Sequence, residues 1–205
     1  MTVPEQLTEP LTRTELTDGR VLLRPPTLAD VAAVTAACQD PDIARWTTVP
    51  APYAASDAVF FVEQVSDPGW AKGTDVTFAV TDRADGALLG ACGLKDIDRT
   101  HRRGEIGYWI TASARGRGVA TSAVRLVCGW AFQDPLGPML ARVEWRAFVR
   151  NEDSRRVAER CGFTMEGTLR SVMVHRGARR DMWIGSLLAG EVPADVAGEV
   201  RDDQG

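Results

Sequence analysis

Arg115, Gly116, Arg117 and Gly118 stand directly before a long apolar run, Val119 to Phe132, and packing asks for none of them there. Their chemistry is that of an anion cradle. The first amides of a helix have no intrahelical acceptor, and the helix dipole adds partial positive charge, so a helix opening at Val119 favours a phosphate at its start. Glycines at 116 and 118 let successive N–H groups turn toward one centre, while the two arginines can neutralise outer oxygens. A plain glycine-rich loop with solvated arginines is the alternative for such a tetrad taken alone.

Three other residues invite chemistry. Asn151 reads as the N-cap of a helix over 151–161, with Glu152 and Asp153 in its first turn and Gly162 closing it. Ser154 on that helix shares a face with Val157, Ala158 and Cys161, so its hydroxyl points inward and needs a partner. That partner is either a neighbouring carbonyl or a reacting group in a cleft. Glu105 lies among Ile106, Tyr108 and Trp109 on the strand feeding the loop, where desolvation would lift a carboxyl toward the range of a general base. Pairing with Arg102 or Arg103 is its alternative. His101 and His175 sit in charged, loop-like stretches and are expected in solvent.

These groups have to be positioned by the rest of the chain. Val21 to Leu23 reads as a strand, Pro25 and Pro26 as its stop, and Leu28 to Cys38 as a first helix behind Thr27 and Asp30. A proline-broken segment leads to a second helix capped near Ser56. Val76 to Thr81 and Leu88 to Ile97 form a hairpin around Asp85-Gly86. From Gly104 the order is strand, glycine loop, helix 119–132, strand 141–149, helix 151–161, strand 162–167 and a last strand 181–188. Hairpins followed by a βαβα section make an α/β (α+β) layout. The polar stretches 1–14 and 191–205 read as mobile ends, the latter acidic, around one domain over 15–190.

Composition bounds the function. A chain of 205 residues, 44% hydrophobic, can bury one sizeable core. A net charge of -4 argues against nucleic acid as a partner, so any anion site must be local. No apolar run reaches the roughly 20 residues of a membrane span, and no secretory leader pattern opens the chain, so a cytoplasmic protein is expected. Cys38, Cys92, Cys128 and Cys161 are scattered without a C-x-x-C pair or a neighbouring histidine, which points to free thiols and to no metal.

The run Arg115 to Ala120 matches the R/Q-x-x-G-x-G/A signature of the GNAT superfamily of N-acetyltransferases. With "GEIGYWI" before it, and "NEDS" and "ERCGFTMEGTLR" after it, the chain resembles the RimJ/RimL-type branch from about Val21 to Leu188. The resemblance implies a mixed central sheet of about seven strands, splayed in the middle and flanked by about four helices. It implies acetyl-CoA as cosubstrate and transfer of its acetyl group to a primary amine by direct attack in a ternary complex. The amides from about Arg117 through Val119 and Ala120 to Thr121 would then hold the pyrophosphate. The backbone of Trp109, Ile110 and Thr111 would pair with the pantetheine arm, with an N–H near Ile110 as oxyanion donor. Asn151 would hold the end of that arm, Ser154 would protonate the thiolate, and Glu105 would act as base through water. Arg155, Arg156 or Arg160 would meet the 3′-phosphate, with Arg156 in the expected set. Trp46, Phe60, Phe61 and Trp70 belong to the segment that walls the acceptor side. The acceptor could be a protein N-terminus, an amino acid, a polyamine or an aminoglycoside, and a homodimer stays open. A non-catalytic acyl-CoA-binding sensor is the other reading.

Overall fold

The computed structural model describes residues 9–192 and 199–202. Its core is a nine-stranded sheet: β1 (Thr14–Thr17), β2 (Val21–Arg24), β3 (Val76–Asp82), β4 (Leu88–Asp98), β5 (Arg103–Ile110), β6 (Arg142–Phe148), β7 (Thr164–His175), β8 (Ala178–Leu188) and β9 (Glu199–Asp202). The spatial order is β7-β8-β6-β5-β4-β3-β2-β1-β9. The short strands β1 and β9 extend it beyond the expected seven. Of the two expected mobile ends, residues 1–8, 193–198 and 203–205 lie outside the described residues. Within them, Leu11 is buried and its N–H donates to the Trp70 carbonyl, and 199–202 pair with β1.

Helices cover both faces. On one lie α5 (Val119–Gln133) and α6 (Glu152–Arg160); on the other lie α1 (Val31–Ala37), α2 (Pro41–Trp46) and α3 (Ala55–Phe60), while α4 (Asp67–Lys72) sends Trp70 into the α5 side of the core. Strand alternation decides the partition. Cys92, Leu94 and Ile106 point into the main core with Val124, Cys128 and Trp130 of α5, whereas Trp109 joins Cys38, Ile43, Tyr53 and Ala58 in a smaller cluster on the opposite face. Trp70, Phe78 and Trp130 lock the main core by edge-on contacts, with ring centroids 5.2 and 5.6 Å apart for the Phe78 pairs.

Local chemistry accounts for the differences from the sequence reading. The first helix begins with a short 3₁₀ turn, Leu28–Asp30, because the Asp30 carboxylate accepts from the Thr27 N–H (2.8 Å) and pairs with Arg24 (2.7 Å). The supposedly broken stretch after it holds α2: Pro41 occupies a first helical position, where no N–H is needed, and Asp40 caps it by accepting from the Asp42 N–H at 2.9 Å. The helix expected near Ser56 runs from α3 through a π-type turn, Phe61–Ser66, into α4. The largest difference is β7, which continues past Gly167 to His175 and turns at Arg176-Gly177, both at positive φ, into β8. Among the described residues no helix is long and apolar enough to cross a membrane.

Candidate active site

β5 and β6 are the parallel pair of the sheet, and their pairing stops early. Register runs from Arg103↔Arg142 to Ile106↔Trp145 and no further, while β5 stays paired with β4 as far as Ile110. Beyond Ile106 the two strands diverge, which opens a gap with backbone on its wall. The Thr111 N–H donates to the Leu89 carbonyl (2.9 Å), which fixes the alternation of the antiparallel ladder: Trp109 and the Thr111 N–H turn toward β4, the Thr111 carbonyl accepts from the Ala114 N–H (3.0 Å), and Tyr108 and Ile110 face the gap. Of the expected trio of Trp109, Ile110 and Thr111, Ile110 is the one whose backbone groups turn toward the gap. Even the Ile110 carbonyl is partly engaged, since Arg115 Nε donates to it at 3.2 Å.

The glycine loop follows that gap. Gly118 stands at the N-cap of α5 with φ 80°, and Gly116 has φ 72°, a left-handed conformation that costs other residues strain. No side chain caps α5, so the amides of Val119, Ala120 and Thr121 point from the start of a rigid, buried helix without an intrahelical acceptor. The arginine side chains turn elsewhere. Arg115 Nη2 pairs with Asp40 (2.6 Å), and Arg117 reaches toward Asp82 (3.8 Å) on the outer side, where Arg20 donates to the Arg117 carbonyl (3.2 Å).

Across the gap lies α6. Asn151 Oδ1 caps it by accepting from the Ser154 N–H at 3.2 Å. The Ser154 hydroxyl has the partners its inward position demands: it accepts from Trp145 Nε1 (3.1 Å) and lies 2.9 Å from the Tyr108 hydroxyl. Tyr108 also reaches the Ser154 carbonyl (3.1 Å), and burial pushes its phenol well above the usual tyrosine range despite the bonds to Ser154 and Trp145. Tyr108 was missed as a functional candidate; its alternation with Ile106 and Ile110 toward α6 was the available signal. Among the three arginines of α6, Arg156 and Arg160 line the cleft, whereas Arg155 stacks over Trp183 and pairs with Glu159.

These elements enclose a cavity of about 330 Å³, a size suited to a small-molecule arm. Ile110, Arg115, Gly116, Gly118, Ser154 and Asn151 all border it, and so do Val119, Ala120, Thr121 and Trp109. Thr111, Arg117 and Glu105 do not.

Glu105 sits instead on the other face of the sheet, in a polar depression of about 480 Å³ with Asp75, Asp98, Glu144 and Arg146. The apolar setting expected for it is corrected: it is buried against two cations, Lys95 Nζ at 2.9 Å and Arg146 Nη1 at 3.4 Å. Neither Arg102 nor Arg103 is its partner; they contact the Met139 carbonyl and Asp98. Gly107, two residues on and on the same face, has open space where a side chain would stand.

The remaining candidates divide. Trp46 borders the cleft, but Trp70 is core and Phe60 is exposed. His101 is exposed beside Asp98, as expected, whereas His175 is half-buried, packs 4.7 Å from the Phe148 ring and donates from Nε2 to the Thr47 carbonyl (2.9 Å). All four cysteines are free and buried; burial pushes Cys38 and Cys161 up to about 11 and raises Cys92 and Cys128 as well.

The family model described as "Acetyltransferase (GNAT) domain" matches residues 20–164, which takes in the gap, the loop and α6. The chain belongs to the GNAT acetyltransferase family. Bacillus subtilis YdaF, whose name assigns it provisionally as a ribosomal N-acetyltransferase, is 40% identical over 107 residues, covering 52% of this chain and 57% of YdaF. The Escherichia coli ribosomal-protein-serine acetyltransferase is 31% identical over 83 residues, 40% of this chain and 45% of that protein. The GNAT chain thus spans about half the length of these two relatives, both named for acetyl transfer to ribosomal proteins. Its fold is that of Mycobacterium smegmatis RimJ, solved in complex with CoA-disulfide, at a TM-score of 0.79 and 23% identity over 93% of this chain and 92% of that one. The microcin C7 self-immunity acetyltransferase MccE, solved with acetyl-CoA and AMP, superposes with a TM-score of 0.76 and 24% identity over 83% and 93%. The uncapped start of α5, the glycines that shape it and the strand gap beside it fit a ligand with a diphosphate at one end and an amide-bearing arm at the other.

Proposed function

We propose that this GNAT domain transfers an acetyl group from acetyl-CoA to a primary amine within a ternary complex, with a protein N-terminus as the acceptor. One observation carries the reading: an uncapped helix start, a backbone-lined strand gap and a paired hydroxyl couple border a single cleft. Names of relatives that act on ribosomal proteins support the choice of a protein acceptor.

Bound acetyl-CoA supplies the acyl group as a thioester. Amides 119–121 bind the diphosphate, and Gly116 and Gly118 let the backbone approach it. The Ile110 N–H, facing the gap, is a donor for the developing oxyanion. Tyr108 and Ser154 form the proton route to the departing thiolate, with the Trp145 indole N–H fixing one Ser154 lone pair so that the hydroxyl proton is directed away from it. Glu105 takes the amine proton through water across Gly107. Arg156 and Arg160 are the cations for a terminal phosphate.

The test is coenzyme A release with acetyl-CoA and peptides differing in their first residue, alongside small amines. Peptide-dependent release is expected in the wild type and most of it lost in Glu105→Gln; an unchanged rate removes Glu105 from the mechanism. Gly118→Val is expected to weaken coenzyme A binding by at least about tenfold in calorimetry, because a β-branched residue resists positive φ. Equal affinity would contradict the loop assignment.

A further inference from the structure

The short helix α2 borders the cleft through Asp42, Ile43 and Trp46, with Thr47 just beyond, yet only Ile43 of its six residues is buried. So small an apolar anchor is weak for a wall that must keep its place. Polar struts hold it at both ends instead. At the start, Arg115 from the glycine loop pairs with Asp40 (2.6 Å) and approaches Asp42 (3.5 Å) while its Nε holds the Ile110 carbonyl (3.2 Å). At the finish, Arg176 from the β7–β8 turn donates to the Ala44 carbonyl from Nη2 (2.8 Å) and Nε (3.1 Å), and to the Val49 carbonyl (3.1 Å), beside the bond from His175 to Thr47. The charges suit the helix dipole: carboxylates lie at its N-terminus and a guanidinium at its C-terminus.

We propose that Arg115 and Arg176 are positioning residues that suspend α2 between the coenzyme loop and the β7–β8 turn, so that the placing of the acceptor, rather than affinity for the coenzyme, depends on them. Arg115 ties three parts at once, the loop, the gap-facing end of β5 and the acceptor wall. Its guanidinium is thereby committed away from phosphate. The inference rests on reading the cleft as the acetyl-transfer site, and the experiment separates the two.

The variants are Asp40→Asn combined with Asp42→Asn, Arg115→Gln, and Arg176→Gln. Asparagine caps a helix as well as aspartate, so the first variant removes the charge and keeps the cap. Amide hydrogen exchange of residues 43–46, read against that of α5, needs no acceptor. All three variants are expected to speed exchange in α2 by at least about tenfold and leave α5 unchanged, since only local opening is eased. Coenzyme A affinity by calorimetry stays within about twofold, while KM for a serine-initiated peptide rises about tenfold with kcat little changed. Combining Arg115→Gln with the double aspartate change adds nothing further if the two act through one strut. Unchanged α2 exchange, or a large loss of coenzyme A affinity in Arg115→Gln, overturns the proposal. Faster α2 exchange in an enzyme that acetylates no amine supports the struts and counts against the acetyl-transfer reading alone.

Discussion

Ser154 shows how a residue's chemistry is set by what surrounds it. Alone, a serine is a poor acid; here its oxygen accepts from Trp145 and touches a tyrosine hydroxyl that burial keeps neutral. Ser154→Ala is expected to lower kcat by about 10²-fold or less, the low end of general acid catalysis. Tyr108→Phe should do similar damage, and the double variant little more, because the proposed mechanism puts both hydroxyls, 2.9 Å apart, on one proton route. Steady-state kinetics of the three variants check this; additive losses would separate the two hydroxyls. Glu105 carries the opposite lesson. Its neighbours in sequence are apolar, but its neighbours in space are Lys95 from β4 and Arg146 from β6.

At the scale of elements, the exposed face of β6, β7 and β8 is held by charge rather than by a covering helix. Arg142 grips Glu166 with two bonds (2.8 and 2.6 Å), and Ser186 donates to the same carboxylate (2.7 Å). The hydrogen bonds from Arg142, and then that from Ser186, hold the Glu166 carboxyl down at about 2, against an ordinary 4.5. A depressed carboxyl contributes stability that is fully present above the ordinary value and is lost as pH falls toward the folded one. Glu166→Gln is therefore expected to lower Tm at neutral pH, with the difference from wild type closing as pH drops from 4.5 toward 2. A difference that stays constant over that range would show that this charge pairing does not hold the strands. The long hairpin was only partly legible because its turn is Arg176-Gly177 rather than the Asn-Gly or Asp-Gly pairs that announce such turns.

For the whole molecule, the cleft exists because one core keeps the two halves of the sheet at a fixed divergence. Trp70 of α4, Phe78 of β3 and Trp130 of α5 meet inside it, and the Trp70 indole N–H donates to the Thr77 carbonyl (3.3 Å). Trp70→Ala is expected to cost about 3–5 kcal/mol in urea unfolding, the usual range for emptying a buried aromatic site. A cost near zero would mean that α4 is not coupled to α5 through this aromatic contact. Under the proposed function such a loss would weaken coenzyme A binding from a distance, since the start of α5 borders the cleft.

The sequence by itself determined the order of strands and helices between Gly104 and Leu188, the glycine loop against α5, the cap at Asn151 and the inward Ser154, because each rests on local periodicity or backbone preference. Those signals act within a few residues of chain and need no partner. Only the tertiary structure decided where β5 and β6 part, which backbone groups face the gap, and that Tyr108 meets Ser154. It alone set Glu105 between two cations and hung α2 between Arg115 and Arg176. Such pairings join residues tens of positions apart, and their energies come from burial and hydrogen-bond geometry that exist only once the sheet has closed.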